Sequence, residues 1–493
     1  MDLAVDLAAN LSVNVAVDWA ADPDAWLPRL ILQRGLAVIY LLAFVAAVRE
    51  FRVLAGERGL TPAPALLRRV SFRQAPSLFH WRYADRLLAG VAWLGAALAG
   101  AIALGAADAV PLAGSMALWA TLWVLYLSIV NVGQHWYAFG WESLLLEAGF
   151  LAVFLGNAAI APPTLTLLLV VWLVVRVELG AGLVKWRGDR CWRQLSCLDY
   201  HHETQPMPGP FSWYFHRLPR PLHRVEVAAN HVTQIVLPLG LFLPGPVATW
   251  VALAVIVTQL WLIASGNFAW LNWLTILLAL AAVDGALAAR HLPLPAPPAD
   301  QPTAPAWFTA TTWAVAALVV VLSRHPVRNL LSPRQRMNVI YNPLHLVNSY
   351  GAFASVTRLR HEIVLEGTAD AEIGPETVWL PYGFHGKPGE VGRRPRQFAP
   401  FHLRLDWAMW FAALSPRFPR PWMRELVDRL LAGDAATLRL LRHNPFPDEP
   451  PRWVRARVLR YRFTTWRERR ATGAWWHAEP TGEHLPPRPR PGG

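Results

Sequence analysis

Thr164-Leu-Thr-Leu-Leu-Leu-Val-Val-Trp-Leu-Val-Val-Arg-Val-Glu-Leu-Gly-Ala-Gly-Leu-Val184 runs without a break into Lys185-Trp-Arg-Gly-Asp-Arg-Cys-Trp-Arg-Gln-Leu-Ser-Cys-Leu-Asp-Tyr-His-His-Glu-Thr-Gln-Pro206. The first half has the length and apolarity of a membrane-crossing helix, which needs about 20 such residues. The second half holds both cysteines of the chain and a dense set of charged and hydrogen-bonding side chains. Polar chemistry packed directly against a hydrocarbon-length segment predicts a folded juxtamembrane site rather than a passive connector.

The rest of the chain fits that reading. Of 493 residues, 54% are hydrophobic and 16% charged, against about a quarter charged in an average globular domain. The 26 tryptophans suit membrane–water interfaces. A net charge of +13 raises nucleic-acid binding, but no nucleic-acid module is recognisable. The basic residues, nearly all Arg with Lys only at Lys185 and Lys387, lie between apolar runs and in the C-terminal part. That assigns them to headgroups and topology. The N-terminus carries Asp2, Asp6, Asp18, Asp22 and Asp24 and no basic residue before Arg29. It therefore does not read as a cleavable signal peptide, and the first membrane helix would serve as a signal anchor.

The expected fold class is a mainly α membrane protein: eight or nine transmembrane helices followed by a small α+β soluble domain. Candidate spans are 30–48, 87–106, 114–131, 143–160, 164–184, 226–243, 247–265, 268–289 and 306–322. Prolines at 161–163 and 244–246 suit tight turns between them. The expected organisation is an N-terminal segment 1–29, a helical bundle 30–324 with a polar loop 185–225, an α+β domain 325–466, and a Pro/Arg-rich, partly disordered tail 467–493. A Pro-rich connector occupies 292–306. Residues 355–368 alternate polar and apolar positions and predict a strand; 452–464 predicts another, with short helices over 402–414, 422–432 and 434–443. Nine spans place the basic loops 49–86, 185–225 and 323–336 on one side, which the positive-inside rule makes cytoplasmic.

Three constellations are candidates for function. Cys191 and Cys197 either close a local disulfide, which requires an oxidising compartment, or stay as two small apolar fillers. His201, His202, His216, His223 and His231, with Asp189, Asp199 and Glu203 near in sequence, offer metal-ligand or acid–base side chains. They lack a His-Glu-x-x-His spacing, and interface histidines bonded to carbonyls are commoner. Ionisable or polar groups within apolar segments (Glu142, Glu147, Arg176, Glu178, Asn230) need partners at membrane depth. Arg176 and Glu178, two apart, point to different faces and so to different neighbours. Lys185, Arg187, Tyr200 and Gln205 complete this polar cluster. No hydrolase elbow, P-loop or dinucleotide fingerprint appears, so no residue is assigned to catalysis, a cofactor or a metal, and whether the protein is an enzyme stays open.

Several runs carry a resemblance: Phe139-Gly-Trp-Glu-Ser-Leu-Leu-Leu-Glu-Ala-Gly149, Gly180-Ala-Gly-Leu-Val-Lys-Trp-Arg-Gly-Asp-Arg-Cys-Trp-Arg193, Asp199-Tyr-His-His-Glu-Thr-Gln-Pro206, Ser265-Gly-Asn-Phe268, Val347-Asn-Ser-Tyr-Gly-Ala-Phe-Ala-Ser-Val-Thr-Arg358, Glu366-Gly-Thr368, Lys387-Pro-Gly389, His402-Leu-Arg-Leu-Asp-Trp-Ala-Met-Trp410 and Asn444-Pro-Phe-Pro447. In this order, over roughly 30–466, the chain resembles the lipase maturation factor family. The resemblance implies a multispanning membrane protein, in the endoplasmic reticulum of eukaryotes, that helps secreted lipases assemble into active form. Its expected partners are therefore a secreted lipase client and the lipid bilayer, with no nucleic acid. It marks Asn348, Tyr350, Arg358, Glu366, Asp406, Trp407 and Trp410 as a C-terminal motif without established chemistry. High Arg and Ala usage suggests a bacterial member in the plasma membrane. The family is distantly similar to the membrane domain of vitamin K-dependent carboxylases, which gives the alternative of a membrane enzyme acting on a lipid or quinone-like substrate at 185–205. The resemblance also implies an extracytoplasmic loop and C-terminal domain, opposite to the side the arginines indicate.

Overall fold

The computed structural model describes residues 21–243, 245–291, 298, 300–415 and 420–490. The acidic stretch up to residue 20, residues 292–297 and 299 of the Pro-rich connector and the last three residues lie outside them. The bundle contains α1 (Trp26–Ala55), α2 (Asp85–Leu104), α3 (Leu112–Val132), α4 (Gly140–Ala152), α5 (Thr164–Arg187), α6 (Arg220–His231), α7 (Pro246–Ser265), α8 (Leu271–Ala279) and α9 (Ala306–Leu331). Prolines 111, 163 and 305 precede α3, α5 and α9, and Pro246 begins α7. At these positions the missing N–H costs nothing.

Among the described residues six helices, α1, α2, α3, α5, α7 and α9, are long and apolar enough to cross a membrane. This corrects the expectation of eight or nine spans, and the reasons are local. The segment 143–160 is helical only to Ala152; Gly156 then turns at φ +73°, and the Asn157 amide caps the Ala107 and Val110 carbonyls at 3.1 and 2.9 Å. In 226–243 the helix gives way to a π-turn at Val232–Val236 and a 3-10 turn at Pro238–Phe242, because Pro238 cannot donate to the helical ladder. In 268–289 the chain leaves the helix by Ala282, and Asp284 caps a new turn through the Leu287 N–H at 3.0 Å.

Backbone and side-chain contacts sort the connections to two ends of the bundle. At one end Asp22 bonds Pro162 (2.8 Å), Asp284 bonds Thr249 (2.9 Å) and Ala161 bonds Pro302 (3.0 Å). At the other, Gln134 reaches the Thr61 carbonyl at 2.8 Å, and Asn267 bonds Met207 at 2.9 Å. The basic loops share this second end with everything after α9.

That C-terminal part is a four-stranded antiparallel sheet of order β2-β1-β3-β4, made of β1 (Arg360–Thr368), β2 (Leu380–Pro381), β3 (Trp453–Phe463) and β4 (Trp476–Pro489). The helices α10 (Arg404–Ala413) and α11 (Pro421–Leu431) accompany it. The expected disordered tail is corrected here. Residues Trp466–Thr472 form a helix with a Thr465–Glu468 capping box. Beyond it, β4 pairs with β3 from Trp476↔Phe463 to Pro489↔Trp453. Its prolines are tolerated because β4 is an edge strand, where a missing N–H interrupts no ladder on the open side. One buried apolar cluster extends from α1 and α5 through Val347 and Tyr350 into Ile363, Leu365, Trp407 and Met423, so sheet and bundle share a core.

Candidate functional site

The loop after α5 begins as a fold against the chain that follows α9. Asp189 caps the turn Arg190–Arg193 through the Cys191 N–H. Its carboxylate also receives Arg358 through both guanidinium nitrogens, at 2.9 and 3.0 Å. That charge-assisted fork is the strong form of a hydrogen bond, and it holds the Asp189 carboxyl below its usual range. Arg358 lies over the Tyr200 ring at 4.7 Å. Trp192 donates to the Phe353 carbonyl at 2.8 Å, and the Asp189 N–H to Ala354 at the same distance. Cys191 and Cys197 are joined as a disulfide with Cα atoms 4.8 Å apart.

Two buried charge clusters then clamp this cap to the membrane helices, and a third ties the loop to the sheet. In the first, Glu147 of α4 forms a two-pronged ion pair with Arg176 of α5, and both are almost fully buried. The same carboxylate accepts the Asn348 backbone N–H (3.0 Å), the Asn348 amide (3.2 Å) and the Tyr350 hydroxyl (2.7 Å). Arg176 also donates to the Asn348 carbonyl at 2.8 Å. Burial of an ion pair is tolerable when its remaining lone pairs and protons find partners. The 348–350 segment supplies three donors to the carboxylate and one acceptor to the guanidinium, whose Nε alone is left without a partner among the described residues. Gly180 admits it: a Cβ there would lie 2.3 Å from the Tyr350 carbonyl oxygen.

In the second cluster Arg404 at the start of α10 reaches Glu142 of α4 at 2.7 Å. It also lies 3.6 Å from Glu50 of α1 and stacks 3.9 Å over the Tyr137 ring. Tyr126 of α3 donates to the other Glu142 oxygen. In the third, Arg360 of β1 donates to the carbonyls of Glu203 and Pro206 at 3.0 Å each while pairing with Glu362, which also binds Lys387 at 3.0 Å. Glu50, Arg360, Glu362 and Arg404 were not singled out from sequence. Arg404 stands inside the quoted His402–Trp410 run, and an arginine flanked by Leu in an apolar stretch was the available signal.

The predicted polar residues fall around these clamps. Arg187 ties the end of α5 to the Leu330 carbonyl (2.7 Å) and Gln335 (2.8 Å). Gln205 donates to the Ser265 carbonyl at 2.8 Å and to Ser212 at 3.0 Å. Glu203 accepts the Phe463 N–H at 2.6 Å and lies 3.4 Å from His216. Burial pushes the His216 imidazole down to about 3. Asp199 meets His223 at 3.2 Å, and His231 meets the Trp192 carbonyl at 3.1 Å. His201 meets the Phe353 ring edge to face at 4.8 Å, and burial holds it well below the ordinary histidine range. His202 is buried with the Glu226 carboxylate 3.8 Å away. Trp410 donates to the Thr204 carbonyl (3.3 Å), and Trp407 packs on Trp141 at 4.8 Å. Asp406 accepts the Gly386 and Lys387 N–H groups inside the C-terminal domain. Glu366 is not part of the junction; it pairs with Arg455 and Arg457 across the sheet. Arg176 and Glu178 do diverge: Glu178 accepts from Gln234 (2.9 Å) and Gln259 (2.7 Å). Lys185 donates to Asn230 (3.0 Å) and Gln234 (2.7 Å).

Glu142, Glu147 and Glu203 are each engaged by donors of the fold itself. Among the described residues no group of three His, Cys, Asp or Glu side chains is arranged to hold a metal.

Comparisons with known proteins agree along the chain. Residues 27–290 match the model of the lipase maturation factor transmembrane domain, and 346–486 that of the lipase maturation factor C-terminal domain. The chain is 42% identical to lipase maturation factor 1 of Bos taurus over 94% of its own length and 89% of that protein's. It is 40% identical to the Homo sapiens protein of that name, over 94% and 88%. With lipase maturation factor 2 of Homo sapiens it shares 29% over 93% and 82%. No solved structure matches. Nothing in these matches supports the carboxylase-like alternative.

Proposed function

Because this chain belongs to the lipase maturation factor family, we propose that it is a multi-pass membrane protein whose cap assists secreted lipases to reach their active form. One observation carries the structural side of this reading: the cap is bound to the bundle through buried charge clusters, so it is a fixed surface at the membrane and not a tethered domain. The client surface we assign is an exposed aromatic patch on the cap. Phe211 and Trp466 are about half exposed, at 51% and 50%, with Tyr214 beside Trp466 at 6.2 Å and Arg394 over the rings of Phe211 and Tyr214. Rigid aromatics offer large contact area to partly folded apolar surface at small entropic cost.

In this reading the cap faces the compartment where secreted proteins fold. The Cys191–Cys197 disulfide supports that side, because cytosolic thiols are kept reduced. Against it stands the Arg-rich character of the same end. Alkaline phosphatase and green fluorescent protein fusions after Gly493 decide the side; a junction at 466 would remove β4 from the sheet. Phosphatase activity supports the reading, and fluorescence without it refutes it. Client contact is tested by a photo-cross-linking amino acid at Trp466 or Phe211 in cells secreting a lipase. An adduct with the lipase supports the patch, whereas capture only from an exposed lipid-side position such as Trp93 refutes it.

A further inference from the structure

The polar chain at Lys185 borders a cavity that the clamps do not use. It has a volume of about 440 Å³ and lies between α5, α6, α7 and α8, within the range of pockets that enclose small ligands. Its walls are mostly apolar, with Val177, Ala181 and Phe268 inside and Val225, Val257 and Trp261 at its outer side. The last three are exposed at 65%, 63% and 45%. Val225 belongs to α6, and Val257 and Trp261 belong to α7, a helix long and apolar enough to cross a membrane, which puts an opening on this side within reach of acyl chains. Glu226 and Trp261 bond across it at 2.7 Å.

One wall is polar and wired. Lys185 donates to Gln234, which donates to Glu178; Gln259 donates to Glu178 and accepts from Asn272 at 2.6 Å. Lysine carries three N–H donors. Among the described residues two of those on Lys185 meet oxygen, on Asn230 and Gln234, although the residue is 96% buried, with a relative exposure of 4%. The third has the Trp192 ring centre 5.3 Å away and no oxygen acceptor. Glu178 offsets the charge, so the wall has a donor to spare without demanding a fully charged guest.

We propose that this cavity binds an acyl chain entering from the bilayer, whose carboxylate or ester oxygen accepts the remaining Lys185 N–H. An apolar body fits the walls, and an oxygen acceptor at one end satisfies the buried ammonium. A free fatty acid and a glycerolipid both offer that chemistry.

The test uses the full chain in detergent with two clickable, diazirine-bearing probes, a palmitate and a phosphatidylcholine. Expected is labelling of peptides from α6 and α7 that falls at least fivefold in Ala229→Trp, which fills the mouth, and in Lys185→Met. Unfolding temperature and gel-filtration profile serve as folding controls for both variants. Excess unlabelled palmitate displacing the label assigns a free acid; displacement by phosphatidylcholine as well assigns a glycerolipid. Labelling that neither competitor displaces, or that persists in a folded Ala229→Trp protein, is boundary lipid and overturns the proposal.

Discussion

Tyr350→Phe is the smallest change that tests the clamp at the membrane ion pair. It deletes one oxygen and keeps the ring, so shape is nearly conserved. The lost bond is the 2.7 Å donation from the Tyr350 hydroxyl to Glu147, a hydrogen bond to a buried carboxylate. Such bonds contribute about 1.5–3 kcal/mol, which corresponds to a factor of roughly 10–150 in a local opening equilibrium at RT ≈ 0.59 kcal/mol. The Asn348 N–H is held by the same carboxylate, and the Ser349 N–H by Val339. Hydrogen exchange over 346–352, with mass-spectrometric readout in detergent, should therefore accelerate by that factor while β3 is unaffected. A harsher comparison brackets it. Glu147→Leu leaves Arg176, only 1% exposed, without its counter-charge and should cost about 3–5 kcal/mol; adding Arg176→Met should recover part of that loss. Unchanged exchange in Tyr350→Phe, or a double variant no better than the single, would refute the clamp.

Arg404→Met should sharply lower folded yield by fluorescence-detected gel filtration, at a cost of about 3–5 kcal/mol for leaving Glu142 unpaired, whereas Arg470→Met on the exposed helix should not. Gly180→Ala forces the Tyr350 carbonyl away from a Cβ 2.3 Å distant and should cost about 1–3 kcal/mol in thermal unfolding. Gly90→Ala, which meets nothing within 4 Å, should be neutral or gain up to about 1 kcal/mol from helix propensity. Burial lowers His216 to about 3 and His345 to about 4, so the unfolded chain takes up protons first as pH falls. Stability should be complete above pH ~6.5 and decline towards those values by up to about 1.4 kcal/mol per pH unit for each histidine. Melting curves between pH 7.5 and 5 check this, and His216→Gln should flatten the slope.

The membrane architecture was legible where apolar length and proline punctuation agree, as in α3, α5, α7 and α9. It was less legible at α4, α6 and α8, because apolar composition does not reveal where Gly156, Pro238 or Asp284 ends a helix. The strand around 360–368 was readable from alternation. The edge strand β4 was not, since its prolines imitate a tail unless the sheet edge is known. At the junction, buried charges flagged Glu142, Glu147 and Arg176. Their partners Arg404, Asn348 and Tyr350 lie about 200 residues or more beyond the glutamates, a separation that spacing rules do not bridge. The His201–His202 pair suggested metal or acid–base chemistry, yet His201 packs on an aromatic ring and His202 lies beside Glu226. Successive residues on a short helix point in different directions, and the two rings have different surroundings.

The central claim is that a membrane-fixed cap raises the fraction of secreted lipase that becomes active. The most direct measurement is lipase activity per mass of secreted lipase, in cells lacking this protein and its relatives, with the wild-type chain or a folded Phe211→Ala/Trp466→Ala variant returned. The account predicts that the wild type raises specific activity at constant lipase transcript and the variant does not. Equal specific activity with and without the wild-type chain would contradict it.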